Sequence, residues 1–226
     1  MVIPYILKSY VKYHKGKGFI CGHVDALHAT PPAADKYTDK LVEMLIKQVG
    51  CAGIISTVSR LDCDLNRIPN HDNQAGVAEY RKAINDILHY LHIVDLDNKL
   101  TTPYLHFSFH GMKDINYGPM AMEIGTQRGQ SCSPEVSTWL KEKVKEGALH
   151  ISPEIMIVFD NKFKGNESIN AHRHGDQNGY TGYGQHFHSF QIELSKTIRR
   201  KYLSELSILF ANIMQDFQTH FVTNSL

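Results

Sequence analysis

Residues 35–58 read DKYTDKLVEMLIKQVGCAGIISTV, and this stretch decides the fold class. Thr38, Leu41, Val42, Leu45 and Val49 fall on one face at helical spacing. Gly50 is a natural stop, so a helix is expected over residues 35–49. Residues 52–58 are then apolar and β-branched, as a buried strand requires. Upstream, GFICG at 18–22 reads as another short buried strand, ending at His23.

The alternation of strand and helix continues outward. Val77, Tyr80, Ile84, Ile87, Leu88 and Leu91 predict a second amphipathic helix. Residues 104–109 alternate as a strand and deliver His110 at its end, followed by Gly111, which lets the chain turn. Ser133 and Pro134 open a third helix as N-cap and first helical residue. Strands are expected at 155–159 and 186–194, with a long Gly-, Asn- and His-rich loop at 160–184 between them. Ile198, Tyr202, Leu206, Leu209, Ile213, Phe217 and Phe221 give the last helix a continuous apolar stripe. The pattern predicts an α/β fold: a three-layer α/β/α sandwich around a mixed, mostly parallel sheet, in one domain over 1–226.

Bulk composition narrows the setting. A net charge of +1 gives no electrostatic case for nucleic acid or an anionic membrane. No apolar run approaches the ~20 residues that span a bilayer, and no segment has signal-peptide organisation. The four cysteines form no CxxC pair, which fits a reducing compartment, and a soluble cytoplasmic protein is expected. Histidine is unusual, with fourteen residues, several of them clustered.

Four separated segments carry chemistry. SRLDCDLNR (59–67) supplies Arg60, Asn66 and Arg67, a donor-rich group suited to a carboxylate, with Asp62 and Asp64 to hold the arginines. LHFSFHGMKD (105–114) presents His110, with His106 at the same strand parity in a structural or supporting role. GFICGHVDALHATPPAADKYTDKL (18–41) presents His23 at a strand end, followed by Asp25, Asp35 and Asp39. Two histidines and one carboxylate would meet the needs of a catalytic zinc site, which keeps one position open for water. Spacing alone leaves the carboxylate as Asp25 or Asp35. GYGQHFHSFQIELSK (182–196) places Glu193 between Ile192 and Leu194. A carboxylate in that setting has a raised pKa, which suits a general base.

Read in order, these segments resemble the N-formylglutamate amidohydrolase family over roughly residues 18–200. SRLDCDLNRIP resembles its SR…DLNR.P signature, EIGTQRGQSC its lGd..GtsC segment, YGQHFHSFQIEL its yG…HalQiE segment, and HFSFHGM its DlHsm strand end. The resemblance implies an α/β/α hydrolase with one zinc ion, allied to zinc carboxypeptidases and aspartoacylase-like enzymes. It implies His23, an acidic residue and His110 as metal ligands. Asp35 matches the family's aspartate ahead of a helix and is preferred to Asp25. It implies Glu193 as general base, and Arg60, Asn66 and Arg67 as the groups that bind the substrate's carboxylate and polarise its carbonyl. The activity implied is hydrolysis of the amide bond of an N-acyl, for instance N-formyl, amino acid.

Three departures from the pattern stand out. CGHVDA replaces PHsG at the first histidine, Ser108 replaces the aspartate two places before the second, and NAHRHGDQNGYTG stands where N.PF.GG is usual. That loop is expected to frame the substrate, with His172, Arg173 and His174 either altering specificity or standing as solvent-exposed loop residues. Two other readings use the same residues: a zinc carboxypeptidase or cell-wall peptide amidase, and a non-catalytic binding protein that keeps the fold. Glu193 beside both histidines speaks against the last.

Overall fold

The computed structural model describes residues 2–223. The chain opens with two short strands, β1 (Ile6–Leu7) and β2 (Val11–His14). Then follow β3 (Gly22–Ala26), α1 (Thr38–Val49), β4 (Ala52–Ser56), α2 (Gln74–Tyr90) and β5 (Tyr104–Met112). β6 (Ala121–Gly125), α3 (Pro134–Ile151), β7 (Met156–Phe159), α4 (Glu167–His174) and β8 (Phe187–Ser195) lead to the C-terminal helices α5 (Lys196–Lys201) and α6 (Leu203–Phe217). All eight strands join one sheet in the order β1-β2-β4-β3-β5-β8-β6-β7. Its centre, β4-β3-β5-β8, is parallel. β2 joins β4 antiparallel, and the β6–β7 pair joins β8 antiparallel. The expected mixed α/β sheet is therefore the fold. Among the described residues, no helix is long and apolar enough to cross a membrane.

Local chemistry explains several boundaries. Gly50 caps α1 in the left-handed conformation, and its N–H bonds Ile46 O. Ser133 accepts from the Val136 N–H, with Pro134 in the first turn of α3. Elsewhere the sequence reading shifts. The first central strand covers Gly22–Ala26 rather than 18–22, so His23 begins it instead of ending it. β5 runs through His110 and Gly111 to Met112. The long loop contains α4, and the last apolar stripe is split at Tyr202 between α5 and α6.

The two faces of the sheet differ in kind. On one, Val24, Ala26, Phe107, Phe109, Phe190, Ile192 and Leu194 pack with residues of α1, α3 and α6 into the larger core. A second core gathers Tyr13, Ala52, Ile54 and Tyr104 with Tyr80, Ala83, Ile84, Ile87 and Leu88 of α2. Because strand side chains alternate, the residues between the apolar ones point the other way. These are His23 and Asp25 on β3, His106, Ser108 and His110 on β5, and Ser189, Gln191 and Glu193 on β8, all buried. Parallel register sets His23 beside His106, Asp25 beside Ser108, and His110 beside Glu193. The second face of the central strands is thus a polar stripe.

Gly111 shows why a glycine sits within β5. A Cβ there would lie 2.3 Å from Cζ of Arg199. The buried Arg199 guanidinium is held in place by donating to Leu194 O at 3.0 Å and Lys36 O at 2.6 Å. The glycine accommodates this arginine rather than a turn. Gly111→Ala is expected to destabilise the fold by about 1–3 kcal/mol through overpacking, read as a lower urea midpoint at unchanged slope.

Candidate metal centre

Two clusters of potential metal ligands form along the polar stripe: His23 with Asp25 and His106 within it, and His110 at its end with His28 and Asp35 of the loop after β3. The second opens onto a cleft of about 290 Å³ that also exposes Arg60, Arg67, Lys162, Lys164 and Glu193. A larger groove between α3 and α6 holds none of these converging groups.

Local folding brings the second trio together. β3 ends at Ala26, and the chain turns so that the Asp35 N–H bonds His28 O at 2.7 Å. Thr38 then bonds Asp35 O through its hydroxyl at 2.8 Å and α1 begins. This loop sets His28 beside Asp35, and β5 supplies His110. Nδ1 of His28 lies 3.1 Å from Nδ1 of His110, and Asp35 Oδ2 lies 3.5 and 3.6 Å from the two nitrogens. The far nitrogens are held from behind: His28 Nε2 by Asp64 Oδ1 at 2.7 Å, and His110 Nε2 by Ser108 Oγ at 3.0 Å. Two imidazoles and a carboxylate converging from one side could hold a metal ion, and outer partners of this kind orient metal-binding histidines. The residues present fit a metal ion.

Electrostatics agree with that arrangement. Burial opposes ionisation of Asp35, yet the neighbouring His110 and His28 hold its carboxyl well below the usual range. Burial also works against charge on His28, but Asp35 and Asp64 outweigh it and raise its pKa. Glu193 behaves oppositely. Burial pushes its pKa up, and nearby Asp35 adds to the shift against the pull of His110. It is 6% exposed, and one carboxylate oxygen, Oε1, accepts from Gln191 Nε2 at 3.0 Å.

Of the sequence-predicted residues, Asp35, His110, Glu193, Arg60, Asn66 and Arg67 all line this cleft. Arg60 donates to Asp35 Oδ1 and to His28 Nδ1, both at 2.9 Å. Arg67 meets Asp64 Oδ2 at 3.3 Å and is otherwise open, its side chain 57% exposed. Asn66 is buried and its amide is already engaged, donating to Gln191 and accepting from Ser168 Oγ.

His23 falls in the other cluster, with Asp25 and His106. It is not brought to Asp35 and His110; His28 stands there instead. His23 lies at the start of β3, its ring stacked 4.1 Å from that of His106 and its Nδ1 3.0 Å from Tyr104 Oη. The histidine one strand-length further on is the one that clears the sheet. The 160–184 segment contributes to the cleft through its first part only. His172 and Arg173 are buried in α4, His172 against Tyr80, His106 and Tyr180, and do not line the cleft. Residues 162–166 line it instead. They are anchored by Glu123 of β6, whose Oε1 accepts from the Asn161 and Phe163 N–H groups at 2.7 and 2.8 Å. The signal for His28 was its place among the clustered histidines; Glu123 opens the EIGTQRGQSC segment, but nothing local to it pointed to the cleft.

The buried histidines have a consequence for acid stability. Burial depresses the pKa of His23 and His172 well below 6.5 and pushes His188 down to about 3. In the unfolded chain these rings protonate near pH 6.5. Their contribution is therefore present above that pH and lost as pH falls. His28, with a raised pKa, contributes in the opposite sense and offsets part of this. The melting temperature is expected to fall between about pH 7 and 5, before the carboxylates titrate. His172→Gln should flatten that slope; an unchanged slope in the variant would show that His172 is not held neutral.

No family model matches the chain, and no curated protein matches it by sequence. Solved structures do match. N-formylglutamate amidohydrolase from Ralstonia eutropha aligns with a TM-score of 0.63 at 14% identity, over 91% of this chain and 97% of its own. A gene product of Agrobacterium tumefaciens aligns with a TM-score of 0.58 at 12% identity, over 94% and 96%. At these identities the likeness is one of fold. The sequence motifs and the tertiary structure thus point to the same relative, and the chain has the fold of N-formylglutamate amidohydrolase.

Proposed function

We propose that the protein is a zinc-dependent hydrolase that cleaves the amide bond of an N-acyl amino acid or a similar amide bearing a carboxylate. The observation that carries this reading is the convergence of His28 Nδ1, Asp35 Oδ2 and His110 Nδ1 beside the buried Glu193 in one cleft. His28, Asp35 and His110 would hold the ion. Zinc, when bound, supplies the Lewis acidity that activates water and polarises a carbonyl near neutral pH.

The chain's own groups do the rest. Glu193 takes the proton of the attacking water on the carboxylate oxygen that Gln191 does not hold, and passes it to the leaving amine. Its raised pKa brings proton uptake closer to working pH than an exposed carboxylate would allow. Arg60 now donates to the His28 lone pair that a metal would take. With that lone pair engaged, Arg60 keeps its bond to Asp35 and has an N–H to offer the developing oxyanion. Arg67, Lys162 and Lys164 surround the opening with positive charge for the substrate's carboxylate. Asn66 acts by holding Gln191, and through it Glu193.

One observation keeps a peptide-like substrate in view. A second cleft of about 480 Å³ shares Arg60, Arg67 and Asn166 with the first, leaving room for an extended substrate beyond the reacting bond. Metal analysis of the purified protein, followed by a panel of N-formyl, other N-acyl amino acids and short peptides, tests both readings. About one zinc per chain and turnover of an N-acyl amino acid support the first. Failure to bind zinc, with no activity on added divalent metals, would sink both.

A further inference from the structure

Ser108 stands on β5 between the two histidine clusters, and Asp25 faces it from β3. Asp25 is fully buried and accepts three hydrogen bonds. Tyr80 Oη reaches Oδ2 at 2.6 Å, His106 Nε2 reaches the same oxygen at 2.8 Å, and Ser108 Oγ reaches Oδ1 at 2.6 Å. The His106 ring is fixed in turn by Ser189 Oγ on its other nitrogen at 2.7 Å. A carboxylate surrounded by donors accepts only, so the hydroxyl proton of Ser108 is spent on Asp25. Ser108 Oγ then faces His110 Nε2, 3.0 Å away, with lone pairs alone.

From this geometry we infer that Asp25 is a positioning residue that acts through Ser108 to hold His110 in one tautomer. The proton is kept on Nε2 and the lone pair on Nδ1, which faces Asp35 and His28. His28 receives the same instruction directly from Asp64, which accepts from its Nε2. The two histidines are thus set by carboxylates in two ways, one in contact and one relayed by a hydroxyl from the neighbouring strand. The relay transmits direction without placing a second full negative charge against the His110 ring. It also gives the hydrophobic-free stripe of β3 and β5 a purpose: the buried Tyr80, His106 and Ser189 hold the Asp25 carboxylate still.

The inference concerns the metal centre of the proposed function, but its test is separable. In metal-free protein, long-range ¹H–¹⁵N spectra should show His110 with its proton on Nε2. Ser108→Ala, which deletes one oxygen, should lose that single-tautomer signature. It should also weaken zinc binding by about 10- to 100-fold in competition with a chromophoric chelator. Ser108→Thr keeps the hydroxyl and should restore both. Asp25→Asn should weaken zinc binding in the wild-type background and have no further effect in Ser108→Ala. An unchanged tautomer and zinc affinity in Ser108→Ala would overturn the relay. So would equal losses from Asp25→Asn in both backgrounds, since Asp25 would then act without Ser108. A wild-type protein with the expected tautomer and no zinc affinity would instead defeat the functional reading and leave the relay standing.

Discussion

Glu193→Gln is expected to lower kcat on an N-acyl amino acid by about 100- to 10,000-fold, the usual worth of a positioned acid–base group. The substitution keeps the shape of a side chain that is buried beside Gln191 and in register with His110. Zinc content and KM should therefore stay close to wild type, because in the proposed mechanism Glu193 moves a proton and holds neither metal nor substrate. The pH profile supplies an independent check. With its pKa raised by burial, Glu193 should place the acid limb of kcat/KM above the range of an exposed carboxylate. That limb should be absent from any residual activity of the variant. Undiminished turnover in Glu193→Gln would remove the residue from the mechanism.

The second large effect separates two histidines that the sequence alone confuses. His28→Ala should lose stoichiometric zinc and activity together, because it deletes one of three converging donor atoms and leaves Asp35 and Asp64 facing a gap. His23→Gln should keep about one zinc per chain. Its cost should fall on stability, about 1–3 kcal/mol, since His23 is packed on His106 and bonded to Tyr104 away from the cleft. Zinc titration and urea unfolding of both variants read the two effects separately. Loss of zinc in His23→Gln with zinc retained in His28→Ala would reverse the assignment.

Much of the site was legible because it is local. Arg60, Asn66 and Arg67 lie within one nine-residue segment that follows a buried strand, so their proximity is a matter of chain connectivity. Glu193 was legible because a carboxylate between Ile192 and Leu194 in an apolar run has an evident desolvation cost. Asp35 and His110 came from motif order, and the structure sets them 3.6 Å apart. The long loop was legible as irregular, but which part of it borders the cleft depended on Glu123, a residue of another strand.

The amino-acid sequence by itself determined the α/β class, the helix stop at Gly50 and the helix start at Ser133, and the chemical types gathered in the site. Those follow from periodicity, capping and burial cost, which act over a few residues. Only the tertiary structure decided where β3 ends, and with it that His28 rather than His23 joins Asp35 and His110. A histidine and an aspartate in GHVDA look like the end of a strand, because burying them without partners is costly. Their partners exist, but Tyr80, Tyr104, His106 and Ser108 are 55 to 83 residues away in the chain. Satisfied from that distance, the polar pair stays inside the sheet, and the place beside Asp35 and His110 passes to the next histidine beyond it.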